Sequence, residues 1–233
     1  MAGMDQNHRR RPGTAARLAA AGSIAALLLA GTAATAAAAE RNSFAYDPPD
    51  RPPRGARTRY VELPAELALN QIAAHLRAQG LTVERVDESE RLVVARFSGD
   101  PRDYVDCGVV RMLVDGKAAS PPKQYSANRP ETRTYRTVRG GRRVGILREM
   151  HLDARVAVRV EESGKGARVT SDAIYVLTKT SSRLFKGGEP GPSVNREVAS
   201  FKSSEIGRFK KGTSCIASGR LEDLPTATLR KSS

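Results

Sequence analysis

The apolar residues Leu69, Ile72, Ala73 and Leu76 recur at i, i+3, i+4 and i+7, which puts them on one stripe of a helix. Pro64 suits a first helical position and Gly80 a C-terminal stop, so "AELALNQIAAHLRAQG" after Pro64 predicts one amphipathic helix. His75 lies beside the stripe and reads as a surface residue. After Gly80 the period changes to two. Leu81–Val86 and Arg91–Phe97 predict a hairpin joined by the acidic turn "DESE". "YVDCGVVRMLV" predicts another strand region, with Gly108 as a bulge.

The strongest alternation comes later. From 150 to 160 the even positions are Met, Leu, Ala, Val, Val and Val, while the odd ones are mostly charged or polar. This is the pattern of a long, half-buried strand. "SGKGA" makes a turn, and Arg168–Thr178 returns as its partner. Ala118–Pro130 and "KGGEPGPS" (Lys186–Ser193) read as loops. Thr132–Val138 reads as a short strand, and Ser214–Ser218 as a strand leading into a short C-terminal helix with Pro225 near its first turn. Strand, helix, antiparallel strands and short helix predict an α+β fold: a curved antiparallel sheet with one main helix packed on it and a short C-terminal helix, in a single domain over 60–233.

The N-terminus follows a different logic. Arg9, Arg10, Arg11 and Arg17 precede an uncharged run from Leu18 to Ala39 that ends in small residues. This is the order of a secretory signal peptide over 1–39, cleaved at Ala39–Glu40. The alternative is a single-pass anchor through residues 18–39. "LLAGT" (Leu28–Thr32) has the form of a lipobox with threonine in place of the lipid-bearing cysteine. A hydroxyl cannot form the thioether, so no lipid anchor is expected. Residues 40–59, rich in proline and charge, read as a disordered or extended linker.

The formal net charge is +14; four arginines and one aspartate in the leader account for +3, which leaves +11. For an exported chain such a charge points to anionic lipid head groups, lipopolysaccharide or acidic glycans rather than nucleic acid. Positions 129–148 hold seven arginines against Glu131 alone. Arg139, Arg142 and Arg143, around Gly140–Gly141, are the candidate anion-binding residues, because the guanidinium fork donates two parallel hydrogen bonds to phosphate.

Catalytic patterns are scarce. His75 and His151 sit on separate elements, and two cysteines 108 positions apart offer no metal spacing. His151 shares a strand face with Asp153, so a His–Asp pair is possible there. "SPPK" (Ser120–Lys123) fits the S-x-x-K of penicillin-binding proteins, but its two prolines oppose the helix that motif requires. Asp100, Asp103 and Asp106 are too sparse for a calcium loop. No cofactor motif or metal site emerges. Export to an oxidising compartment makes a Cys107–Cys215 disulfide the expected fate of the two cysteines, with buried free thiols as the alternative.

"YVDCG" (Tyr104–Gly108) and "CIASGRLE" (Cys215–Glu222), flanking a long hairpin, resemble exported lipoprotein-type proteins of bacteria. The helix-on-sheet order is similar to the helix-grip domains of accessory lipoproteins in outer-membrane assembly. The resemblance implies binding or scaffolding and brings no catalytic residues. The expectation is an exported, non-catalytic cell-envelope protein, periplasmic or secreted, whose partner is an envelope protein or an anionic envelope component. Neither nucleic acid nor a small-molecule cofactor is expected. Two other classes stay open: a periplasmic hydrolase or transferase with an unrecognised site, and an N-terminally anchored subunit of an envelope complex.

Overall fold

The computed structural model describes residues 42–229, apart from 115, 119–122, 130, 137–142, 186–187, 211 and 228; for 42, 131–136, 143–144 and 192–194 it describes the backbone. The expected leader over 1–39, with its cleavage point and its anchor alternative, lies outside the described residues. Among the described residues no helix is long and apolar enough to cross a membrane.

Two short strands come first, β1 (Asn42–Asp47) and β2 (Arg57–Val61), followed by α1 (Ala65–Ala78). The hairpin β3 (Thr82–Asp87) and β4 (Leu92–Gly99) leads through one 3-10 turn into β5 (Val105–Asp106) and β6 (Val109–Val114). Then come β7 (Lys117–Ala118), β8 (Gln124–Ser126), β9 (Glu131–Arg136), β10 (Arg143–Ser163) and β11 (Gly166–Leu184). The chain closes with β12 (Pro190–Lys202), β13 (Gly207–Arg208), β14 (Ser214–Ala217) and α2 (Arg220–Asp223).

β10 and β11, of 21 and 19 residues, are the spine of a seven-stranded antiparallel sheet. At about 3.3 Å per residue they run on the order of 60 Å. They pair from Ser163–Gly166 at the tight turn to Gly145–Leu184 at the far end. Each flank of this ladder is shared by two strands laid end to end. Along β10, β4 pairs with Leu152–Arg159 and β9 with Arg143–Arg148. Along β11, β2 pairs with Ala167–Ser171 and β12 with residues from Ile174 to Leu184. β3 lies outside β4. The sheet thus has a half near the tight turn, called proximal below, and a distal half that carries β9 and the start of β12.

The core covers one face of the proximal half. Leu152, Val156, Val158 and Val160 of β10, Val93 and Ala95 of β4, and Val169, Tyr175 and Leu177 of β11 are buried there. Leu69, Ile72, Ala73 and Leu76 of α1 close over them, as their spacing predicts, against β3, β4, β10 and β11. Tyr175 stacks on Phe201 with ring centroids 5.2 Å apart. His75, expected at the surface, is half-buried beside this stripe.

The expected α+β class is overturned. Strand dominates the described residues, in three antiparallel sheets, and their α-helices are one of 14 residues and one of 4. The helical stripe is real, but it covers part of a sheet whose framework is backbone pairing between strands. β1 and the first three residues of β2 also fall inside the segment read as a linker. Their ladder bonds join β1 to β6 and β2 to β11, and Tyr46 and Val61 add contacts with the core.

Gly108 is not a bulge. It is the corner at which the chain leaves one sheet for another, β5 pairing with β14 and β6 with β1. Its φ is +73°, and a Cβ there would come within 2.1 Å of the Asp47 carbonyl oxygen, so glycine is required. Cys107, beside that corner, forms a disulfide with Cys215 of β14, and both are fully buried. The bond extends the β5–β14 ladder, in which Ile216 faces Asp106 and Ala217 faces Val105. Tyr46 of β1 ties the same corner: its hydroxyl accepts from Ser214 N at 2.8 Å and reaches the Cys107 carbonyl at 3.1 Å.

The C-terminal segment is clasped from within. Glu222 is fully buried, and its Oε1 accepts from the Tyr175 hydroxyl at 2.7 Å and from Ser203 Oγ at 2.5 Å. Ser171 Oγ donates to the Glu222 carbonyl. Burial, with the Glu222 carboxyl beside it, pushes the Tyr175 hydroxyl pKa up. Three positions on β11 and after β12 thereby hold α2 against the sheet.

Candidate functional site

The face of the proximal half turned away from the core carries the sequence-predicted His–Asp pair. Asp153 Oδ2 lies 3.7 Å from His151 Nε2, and Ser98 Oγ of β4 lies 3.0 Å from the same nitrogen. A proton relay needs serine and carboxylate on opposite ring nitrogens, so that the imidazole takes a proton on one side while the acid steadies the other. Here both partners meet Nε2, and the trio cannot work as a relay in this arrangement. Arg96 donates to Asp153 Oδ1 at 2.9 Å. The hydrogen bonds from Arg96 and then Ser98 hold the Asp153 carboxyl below its usual range. Nearby, Arg155 Nε meets Glu84 at 3.1 Å. A shallow depression of about 460 Å³ lies among Glu84, Arg96, Asp153, Arg155, Ile174 and Val176. Its two cations and two carboxylates satisfy each other, so it offers little net charge to a ligand.

The acids singled out around Pro101 fill turn roles. Asp100 Oδ1 accepts from Arg102 N at 2.9 Å, Asp106 Oδ1 from Gly108 N at 2.8 Å, and Asp103 meets Arg220 at 3.4 Å. Among the described residues no cluster of three or more His, Cys, Asp or Glu is arranged to hold a metal ion.

The charge balance changes where the core ends. One register row holds Met150, Lys179 and Glu197 side by side on β10, β11 and β12. Lys179 Nζ meets Glu197 Oε2 at 2.9 Å, with the two side chains 10% and 6% exposed, and sits 4.4 Å from the Phe209 ring centre. Beyond this row the strands bear Arg133, Arg136, Arg143, Arg148, Arg183 and Arg196 against Glu131 and Glu149. Arg143 faces Arg136 across the β9–β10 ladder, and Arg133, Ile146 and Arg183 share one row. Arg148 lies 4.9 Å over the Tyr125 ring and donates to the Arg129 carbonyl at 3.3 Å. Arg183 and Arg196 are exposed, and no described carboxylate comes within ion-pair distance of either.

Of the predicted anion-binding residues, Arg139 and Arg142 lie outside the described residues, and Arg143 opens β10 with its backbone alone described. The topology adds Arg183 and Arg196, which are distant in sequence from that cluster. Alternation in the segment after Lys186 is the signal that could have found Arg196, but the glycines and prolines at its start mask the strand; Arg183 lies on β11 beyond Thr178, where that strand was expected to end. The disulfide pairing is as expected. Compared with protein-family models, curated proteins and solved structures, the chain matches none.

Proposed function

We propose that the chain is an exported, non-catalytic binding protein of the cell envelope, periplasmic or secreted, and that it holds an anionic partner at the distal, arginine-rich end of its long sheet. The observation that supports this reading is the contrast along one ladder. In the proximal half the exposed guanidinium groups of Arg91, Arg96 and Arg155 each meet a carboxylate. In the distal rows six arginines stand against two glutamates. Packing like charges on neighbouring strands costs free energy unless something else neutralises them. A phosphate- or carboxylate-bearing partner would do so, and arginine binds such groups through two parallel bonds. The buried disulfide fits an oxidising compartment.

Binding to an immobilised phosphate matrix tests the reading. The protein should be retained at 0.1 M salt and released as the Debye length shrinks from about 10 Å towards 3 Å at 1 M. Each basic residue near an anionic surface contributes about 1 kcal/mol. Replacing Arg139, Arg142, Arg143, Arg183 and Arg196 with alanine should abolish retention, while Arg96→Ala/Arg155→Ala should leave it. Equal elution of the distal variant and wild type would exclude the distal end as the contact.

A further inference from the structure

We infer that the anionic partner is a lipid bilayer and that Phe185 is the apolar anchor which enters it. This rests on the distal-end reading above and adds a second kind of contact to it. β11 ends at Leu184, opposite Pro190. The next residue, Phe185, is 59% exposed, more than any other exposed large hydrophobic side chain among the described residues. Its place is fixed by the backbone. Phe185 N donates to the Glu189 carbonyl at 2.9 Å, and Gly188 N donates back to the Phe185 carbonyl at 3.1 Å. The ring lies close to Gly191, where a Cβ would sit 3.2 Å from its Cζ, so the missing side chain at 191 leaves room for the phenyl.

The strand ends beside this turn are rich in arginine. Arg183 lies two residues before it, and the register puts Ile146 and Arg133 across from Arg183. Arg143 and Arg136 pair beyond the last row of the β10–β11 ladder. A phenyl group exposed at a turn, at the end of strands that carry arginine, is poorly suited to a hydrated polyanion, which gives the ring nothing to bury against. It suits the boundary of an anionic bilayer, where head-group phosphates meet the arginines and the acyl region takes the ring.

The chain contains no tryptophan, so Phe185→Trp introduces a single indole reporter. The purified full protein is mixed at 0.1 M salt with vesicles of phosphatidylglycerol and phosphatidylcholine, some carrying brominated acyl chains. The expected result is a blue-shifted indole emission, quenched by the bromines. Phe185→Ala should partition onto the same vesicles about tenfold more weakly, since burying a phenylalanine side chain is worth between one and two factors of ten. Its retention on the phosphate matrix should be unchanged.

An indole that keeps its aqueous emission on pelleted vesicles, or equal partitioning of Phe185→Ala and wild type, overturns the anchor. Retention on phosphate without any vesicle binding overturns the lipid assignment and leaves the anionic-partner reading intact. Loss of both ends both. Circular dichroism identical to wild type shows that each variant is folded, as the exposure of Phe185 leads one to expect.

Discussion

The two halves of the β10–β11 ladder are built from the same backbone pairing and held by different forces. In the proximal half every second residue of β10 from Leu152 to Val160 is buried under α1 and the C-terminal segment, while on the other face Arg96 pairs with Asp153 and Arg155 with Glu84. In the distal half the corresponding positions hold Ile146, Arg148, Ser181 and Arg183, none of them in the core. Hydrophobic burial determines the first half, at roughly 25 cal/mol per Å² removed from water. The second is ordered by ladder hydrogen bonds to β9 and β12 and tethered at its base by Lys179–Glu197. Freed from packing, its side chains can be chosen for charge, and arginine is what is found there.

The largest effect is expected at the disulfide, which is fully buried and lies outside the ladder, between the end of β5 and β14. In the chain-entropy treatment, closing a loop of about 100 residues stabilises by roughly 4.7 kcal/mol. Cys107→Ser/Cys215→Ser should therefore lose up to about 4 kcal/mol in denaturant unfolding and melt well below wild type, with reductant lowering the wild-type midpoint in the same sense. Distal function should survive at temperatures where the variant is still folded. Two reactive thiols in the folded wild-type protein would contradict the premise.

The next largest effect is expected at the boundary itself. Lys179→Met takes the lysine from the buried Glu197 carboxylate, which keeps its bond from Asn195, and should destabilise the fold by less than the disulfide loss. Lys179→Met/Glu197→Met removes both charges and should recover most of that loss. If the ion pair is what ends the core and starts the distal half, hydrogen exchange in Lys179→Met should quicken in Ser181–Leu184 and Pro190–Ala199 before it does in Val156–Val160. Uniform exchange along the ladder would mean that the two halves unfold as one unit.

The sequence spoke clearly where burial is one-sided and periodic. Leu69, Ile72, Ala73 and Leu76 announce α1, and the even positions from Met150 to Val160 announce β10, because water excludes one face of each. It was silent where a strand is short and contributes few side chains to the core. β1 and β2 lie in proline-rich, charged sequence and offer chiefly Tyr46 and Val61 to the interior, too few to show a period. β12 opens with Pro190 and Gly191 and places Glu197, not an apolar residue, in the buried row. Missing β1, β2 and β12 left the sheet undercounted and the helix overweighted, which is why α+β was the wrong class. The same omission hid the candidate site. The cluster around Arg139–Arg143 is legible as a charge run, but its union with Arg183 and Arg196 depends on the β10–β11–β12 register.

The smallest effect lies on the ion-paired outer face, at Asp153. Arg96 and Ser98 hold its carboxyl below the ordinary value in the folded protein. A depressed folded value contributes stability above the unfolded pKa, near 3.9, and that contribution is lost as pH falls through the folded one. The window is therefore the acid side, below about pH 4. Because the group is close to solvent, the contribution is that of an exposed pair, about 0.5 kcal/mol, and salt weakens it. Asp153→Asn should lower stability slightly at pH 7 and flatten the fall of stability between about pH 4 and pH 2, measured by urea unfolding. An Arg183→Ala control in the distal half, which has no described carboxylate partner, should leave that pH profile parallel to wild type. If Asp153→Asn and Arg183→Ala shift the acid limb equally, then charge pairing does not distinguish the two halves, and the arginine excess of the distal end loses its meaning as a vacancy for a partner.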